Sequence, residues 1–568
     1  MRTHALLLAI VAAAPLSAQS PRTTPYFGPN VTIFDPATPK AIIQARLDTI
    51  FALQESSQFG ERRFAVLFRP GTYDVDARIG FYTQVSGLGL LPDDVVINGG
   101  MRVDAHWRKG NATLNFWRAV ENMSVVPAGG FDRWAVSQAA PMRRMHIRGN
   151  LALDDSGWSS GGFLADSKVD RRVNSGHQQQ WLTRNSAIGS WTGSNWNQVF
   201  VGTRGAPAST FPDPTFTTLD AAPLIREKPF LFVDARGAWQ VFVPALRTNA
   251  DGMSWGPGKP QGIARPLSDF FLVMPGAAAA TMNDALAKGK SLIITPGIYH
   301  LAVPLHVTRR NTIVLGLGFA TVVPDSGVSA ITVDDVDGVT LAGLLIDAGP
   351  INSPVLVQIG PPGSSARHRS NPMVLSDFFV RVGGAGVGKA TRSLEINSND
   401  VIGDHLWLWR ADHGSGVGWT SNTAANGLVV NGNDVTMYGL FVEHYQHYQV
   451  QWKGNGGRTY MFQNEMPYDV PDQAAWTNGT AQGFAAYQVD SRVTRHEAWG
   501  LGSYCFFNRN PTVVADRAFE VPVAPGVRLR NMVTVSLGGG KGTIAHVINE
   551  TGGAAKAGAT VQKLVSGP

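Results

Sequence analysis

The chain of 568 residues has a single cysteine, Cys505, so it closes no intramolecular disulfide and must hold its fold by burial. A chain of this length can bury enough apolar surface to do so. Cys505 lies in the apolar run from Leu501 to Phe507, where a buried small hydrophobe is expected. Charge is scarce too: Asp, Glu, Lys and Arg make up only 16% of the residues. The net charge of +6 is spread out, with no Lys/Arg cluster interleaved with aromatics, which argues against a nucleic-acid partner. Long apolar runs are also missing. The one candidate, from Ala5 to Pro15, is shorter than the about 20 apolar residues a membrane-crossing helix needs. It follows the basic Met1-Arg2-Thr3-His4 and precedes Leu16-Ser17-Ala18, the layout of an export signal cut after a small residue. Residues 1–18 are therefore expected to be removed, leaving a protein outside the cytoplasm, extracellular or periplasmic, and free of membrane.

What is abundant is glycine (63) and tryptophan (15). Few charges, many glycines and short Val/Ile/Thr runs suit an all-β coil with frequent tight turns. One order of elements occurs twice. Phe68-Arg69-Pro70-Gly71-Thr72-Tyr73 is followed by Val85-Ser86-Gly87-Leu88-Gly89, and Ile294-Thr295-Pro296-Gly297-Ile298-Tyr299 by Val314-Leu315-Gly316-Leu317-Gly318. The wide separation of the copies points to a duplicated domain, not a short repeat array. Within a copy, runs such as Ala330-Ile331-Thr332-Val333, Val339-Thr340-Leu341-Ala342 and Leu344-Leu345-Ile346 follow one another with only turn residues between them. Such spacing leaves no room for crossover helices and excludes a doubly wound sheet. A right-handed parallel β-helix fits, with a β-sandwich as the alternative. The expected layout is a first β-helix over residues 25–205, a proline-rich connector with a few strands over 206–268, and a second β-helix over 269–568.

One block is specific. Phe441-Val442-Glu443-His444 leads to Tyr448-Gln449 and, after a Gly-rich turn, to Phe462-Gln463-Asn464-Glu465-Met466-Pro467-Tyr468. This resembles the signature of glycoside hydrolase family 55, the exo-β-1,3-glucanases, or laminarinases. The segments Trp134–Gln138, Ser159–Phe163, His177–Trp181, Arg226–Phe230 and Trp407–His413 look familial in the same order, so the resemblance spans roughly residues 25–520. It implies two tandem right-handed parallel β-helix domains packed side by side, with a glucan-binding cleft between them. It also implies release of glucose from the non-reducing end with inversion, without metal or cofactor, by a monomer whose partner is a β-1,3-glucan chain.

Glycosidic cleavage needs one carboxyl group to protonate the leaving oxygen and another to activate water. Carried over from the family, Glu465 is the general acid and Glu443 the general base, with Gln138 and Ser160 positioning the water, Ser160 through its backbone carbonyl. The two glutamates lie 22 residues apart, about one coil, so they can stack on adjacent turns of one face. Trp409 and Asp412 are candidates for sugar contacts, the indole over a ring face and the carboxylate on hydroxyls. Core packing is the competing reading of Trp409. Gln179, Gln449, Gln463 and Tyr468 are further hydroxyl-binding candidates, although glutamines also form ladders between coils.

Other motifs carry less. Gly157-Trp158-Ser159-Ser160-Gly161 has the spacing of a nucleophile elbow but lacks the strand-to-helix context that motif requires. His444 and His447 are not on a helix that would align them for zinc. Asp334-Asp335-Val336-Asp337-Gly338 lacks the closing glutamate of a calcium loop. A polysaccharide lyase on the same coil and a non-catalytic glycan-binding coil remain as alternative functions.

Overall fold

A computed structural model describes residues 24–256 and 258–568, so the segment read as an export signal lies outside the described residues. Residues 31–219 form one 16-stranded sheet, from Val31–Phe34 to Phe216–Leu219, in which every pair of strands is parallel. From Phe270–Val273 onward the chain winds a second β-helix, with a 12-stranded and a 9-stranded sheet as its walls. Its last strand, Val561–Gly567, runs antiparallel against Gly526–Ser536 and covers the open end of the coil. The last strand of the first domain lies inside the stretch read as connector. The rest of that stretch pairs antiparallel, as Ala222–Ile225 with Arg247–Ala250, and as Phe230–Val233 with Trp239–Pro244 and Gly262–Pro266.

Parallel stacking puts like residues above one another. Leu344, Phe378, Leu406, Leu440, Phe462, Leu501 and Met532 occupy equivalent positions on successive coils. All seven are buried in the interior of the second β-helix. Removing each from water stabilises the coil by about 1.5–3 kcal/mol. Because strand side chains alternate, the neighbouring positions face outward. Those outward rows meet the first domain: Phe379, Trp407 and Phe441 share a buried cluster with Phe163, Leu182 and Trp117. The approach is close enough to demand glycine. A Cβ on Gly439, at φ +62°, would sit 3.0 Å from the Phe163 ring.

The duplication is visible in three dimensions. In each domain the first strand leads into a helix, Lys40–Gln54 or Ala279–Ala287, and then into the strand that pairs with it. The strand spacing gave no sign of these helices. Each is a single entry segment placing Leu47 and Ile50, or Met282 and Leu286, on the first coil's interior. The repeated Pro-Gly turn has a repeated purpose. Tyr73 OH donates to Arg69 O at 2.8 Å, and Tyr299 OH donates to Thr295 O at 2.8 Å, closing the turn from below. Cys505 is buried, as its apolar context suggested.

A buried ion network locks the domains together. Arg143 of the first domain donates to Asp377 and, at 2.7 Å, to Asp404 of the second. Arg184 donates to Asp404 at 2.9 Å and to both oxygens of Glu227 in the connector at 2.7 Å. Lys228 adds a bond to Glu121 at 2.8 Å. All three segments are thus pinned by paired charges without solvent.

Candidate active site

The site forms where the outward rows of the second domain reach the carboxyl ends of their strands. Arg381, Trp409 and Glu443 are aligned on three successive coils. Phe441 pairs with Gln463 on the next coil, and the same register continues so that His444 N–H donates to Glu465 O at 2.8 Å. Glu465 in turn pairs with Tyr504. The two glutamates therefore occupy neighbouring rungs of one face, and alternation alone aims both side chains toward the first domain.

Glu443 is 3% exposed. Its Oε1 accepts from Gln138 Nε2 at 2.8 Å and its Oε2 from Trp407 Nε1 at 2.8 Å, and both donors are neutral. Among the described residues, no Lys, Arg or His lies within 4 Å of its carboxylate. Burial pushes the Glu443 carboxyl well above the usual range, and the nearby Glu465 charge adds to that. Gln138 Nε2 has three acceptors within reach of its two hydrogens: Glu443 Oε1, Ser160 O at 3.0 Å and Gln463 Oε1 at 3.1 Å. Ser160 O also takes a bond from Gln180 Nε2 at 3.2 Å, so both its lone pairs have amide partners. The Ser160 hydroxyl lies 3.0 Å from Ser137 Oγ and 3.3 Å from Gln138 Oε1. Gln463 Nε2 is buried with no hydrogen bond of good geometry, though the Gln463 amide lies close enough to Glu443 to favour its ionised form. Gly161, at φ +124°, brings this loop so near the second domain that a Cβ there would lie 3.0 Å from the Phe441 ring.

Glu465 stands in a different environment. Its side chain is 16% exposed, and its Oε2 accepts from the Tyr468 hydroxyl. His444, in the left-handed region at φ +65°, donates from Nδ1 to Met466 O at 3.0 Å. That bond fixes the ring so that Nε2 faces Asp412 at 3.7 Å and Glu465 at 3.8 Å. Burial raises the Glu465 carboxyl, and the Asp412 charge raises it further, while His444 and Tyr468 pull it down; the net direction is upward. Burial also presses on Asp412, but His444 and His413 overcome it and keep that carboxyl below its usual range.

The structure thus brings Gln138, Ser160, Glu443 and Gln463 together on one side, and Glu465, Tyr468 and Asp412 on the other. Three candidates lie outside these two groups. Trp409 is 1% exposed, stacked on Trp407 at 5.0 Å and parallel to Phe59 at 6.3 Å, so its faces are taken by protein and it walls the site. Gln449 turns back on Tyr445, accepting from its N–H at 2.8 Å and donating to its carbonyl at 2.7 Å, because closing that turn uses the whole amide. Gln179 is partly exposed on the loop that carries Trp196 N–H to its carbonyl at 2.8 Å.

Sequence reasoning passed over three residues. Trp407 shares a face with Trp409 because they are two apart on a strand, and its indole N–H is what reaches Glu443; period-2 alternation was the available signal. Trp158 is 46% exposed and stacks on Trp196 at 6.4 Å, and Trp196 contacts Tyr504 at 4.8 Å, forming an aromatic shelf beside Ser160. His444, weighed only as a metal ligand, turns its Nε2 toward both Asp412 and Glu465. Two carboxyl groups on one wall, one clasped by neutral donors and one open to the cleft, can accept and donate protons across a bound sugar.

A family model described as the LAM55 pectate lyase-like domain matches residues 270–465. An exo-beta-1,3-glucanase from Streptomyces sp. (strain SirexAA-E / ActE) is 55% identical over 528 residues, covering 92% of this chain and 87% of that protein. The solved structure of sacteLam55A from Streptomyces sp. SirexAA-E superposes with a TM-score of 0.94 at 54% identity, over 96% of this chain and 99% of that one. A single-site variant of that protein, solved in complex with glucose, matches with the same TM-score at 53% identity. The identity and its near-complete coverage settle the matter: this chain belongs to glycoside hydrolase family 55, the exo-β-1,3-glucanase family.

Proposed function

We propose that the protein is an exported, exo-acting β-1,3-glucanase that releases glucose from non-reducing ends with inversion, with Glu465 as general acid and Glu443 as general base. The observation that carries this is the unequal treatment of two neighbouring carboxyl groups. Glu443 accepts an N–H bond on each oxygen, an arrangement that suits the ionised form and leaves no acceptor for a proton of its own. Glu465 has one oxygen on Tyr468, and among the described residues the other is without a hydrogen-bond partner, facing the opening. Burial raises both carboxyls, Glu443 the further, so the pair keeps one proton. Because both Glu443 oxygens already accept N–H bonds, that proton sits on the free oxygen of Glu465, ready for the leaving oxygen.

In the reaction, the glycosidic C–O bond breaks as Glu465 passes its proton to the leaving oxygen. A water attacks the anomeric carbon from the opposite face and gives a proton to Glu443; exchange with solvent then resets both groups. Gln138 and Gln463 Nε2 hold the water, and Ser160 orients Gln138. Inversion needs roughly 6.5–9.5 Å between the carboxyls, whereas adjacent rungs are only about 4.8 Å apart at the backbone. The two heads bond different partners, Glu443 to Gln138 and Trp407 and Glu465 to Tyr468, which lets them diverge from the backbone spacing. Asp412, Gln179 and the Trp158 shelf are left for hydroxyls and ring faces of the glucan. Export rests on the N-terminal apolar segment; among the described residues no helix is long and apolar enough to cross a membrane.

Proton NMR of a fresh laminarin digest tests this reading. Glucose should appear first as the α-anomer and mutarotate afterwards. Initial β-glucose would mean retention, and absorbance from a new double bond would mean a lyase.

A further inference from the structure

A second cleft lies far from the glutamates. The connector, with Arg226 and Leu246, and strand Gly262–Pro266, with Arg265, form one side. The other side is the turn Arg309-Arg310-Asn311-Thr312 that enters strand Ile313–Pro324, together with Thr340 and Asn371. The volume is about 960 Å³. Thr340 begins a strand whose last residue, Asp347, is on the row that leads through Arg381 and Trp409 to Glu443. Seven residues at about 3.3 Å each therefore separate the arginine cleft from the catalytic edge by roughly 20 Å or more.

Four arginines line this cleft and no carboxylate does. Arg265 and Arg310 have one acid each nearby, Asp269 at 3.3 Å and Asp337 at 3.5 Å. Among the described residues neither Arg226 nor Arg309 has a carboxylate within 4 Å. Neutral groups aim them instead. Arg226 Nη1 donates to Asn371 Oδ1 at 3.0 Å while its Nε is buried without a partner, and Arg309 Nη2 donates to Ala287 O at 2.6 Å. Arg265 Nη1 is held by Ser291 Oγ and Asn311 O, each at 3.2 Å. At Arg226 and Arg309 neutral acceptors fix the guanidinium planes without cancelling their charge, which is what binding a carboxylate or sulfate through paired N–H bonds requires.

We propose that this cleft binds a segment of an anionic polysaccharide, a sugar chain bearing carboxylate or sulfate groups, and so holds the enzyme on acidic glycan while the other edge cleaves neutral glucan. The volume is at the upper end of what an organic ligand fills, too large for a lone ion. Asn311, Thr312, Thr340 and Asn371 supply partners for hydroxyls. The lining has no aromatic ring, so it offers nucleic-acid bases no stacking surface.

Native affinity electrophoresis of the full chain tests the proposal with alginate, dextran sulfate, neutral dextran and a single-stranded oligonucleotide as probes. Alginate, dextran sulfate or both should retard the protein at low salt, and neutral dextran should not; which of the two does so identifies the oxyanion. The doubly substituted Arg309→Ser/Arg310→Ser, both exposed, should lose at least tenfold in affinity while cleaving laminarin at the native rate. Equal retardation of native and variant proteins, no retardation by either anionic glycan, or tighter binding of the oligonucleotide would overturn it.

Discussion

Asp404 and Glu443 are both almost wholly buried on the outward face of neighbouring coils, and both reach across to the first domain, yet they meet opposite partners. Asp404 accepts from two guanidinium groups, Arg143 and Arg184. Glu443 accepts from an amide and an indole. Burial alone would raise every carboxyl in this interface. In the ion network the cations win: burial is outweighed at Asp377 by Arg143 and Lys228, helped by a hydrogen bond from His405, and at Glu227 by Arg184, and both carboxyls stay below their usual range. At the catalytic edge no cation answers for Glu443, and its carboxyl goes up. Paired charge makes a lock; charge held only by neutral dipoles remains reactive. One interface thus contains the fastening of the enzyme and its chemistry on adjacent coils.

The sharpest way to break this contrast is to neutralise one member on each side. Glu443→Gln is expected to lower kcat on laminarin by about 10²–10⁴-fold, since the base is lost, while circular dichroism shows a folded protein. Asp404→Asn is expected to do the reverse. It leaves Arg143 and Arg184 short of a buried counter-charge and lowers unfolding free energy by about 3–5 kcal/mol, with the kcat of the protein that remains folded little changed. The network also sets acid stability. A group whose folded pKa is depressed, as for Asp377, contributes stability above its unfolded pKa of about 3.9 that is lost as pH falls toward the folded value. Denaturant midpoints measured across pH 3–6 should fall in native protein and fall less in Asp377→Asn.

Smaller changes sharpen the comparison at the site itself. The Trp407 N–H favours the ionised form of Glu443, so Trp407→Phe should move the acidic limb of the kcat/KM profile upward. The Tyr468 hydroxyl favours ionised Glu465, so Tyr468→Phe should instead move the alkaline limb upward. If both substitutions moved the same limb, the assignment of two roles to the two carboxyls would fail.

Much of this was legible in the sequence because coil geometry is nearly periodic. The repeated Pro-Gly-x-Tyr turn announced the duplication, and a spacing of one coil put Glu443 and Glu465 on one face. Gln138 and Ser160 entered through family likeness and were found beside Glu443, although no rule of spacing links residues some 300 positions apart. What remained hidden depends on tertiary partners. Trp409 and Gln449 carry ordinary sugar-binding chemistry, but Phe59 and Trp407 cover the one and Tyr445 engages the other. Glu227 and Lys228 sit in a motif that looked familial, and only the meeting of three segments gives those charges a purpose. The helices Lys40–Gln54 and Ala279–Ala287 escaped notice because each occurs once per domain, outside the repeating strand rhythm.

The claim that Glu465 carries the proton is tested most directly by Glu465→Gln assayed on two substrates. Laminarin, whose leaving sugar must be protonated, should lose about 10²–10⁴-fold in kcat, whereas an aryl β-glucoside with a strongly acidic phenol as leaving group should lose far less. Equal losses on both substrates would contradict the assignment and return the acid role to Glu443 or to another group.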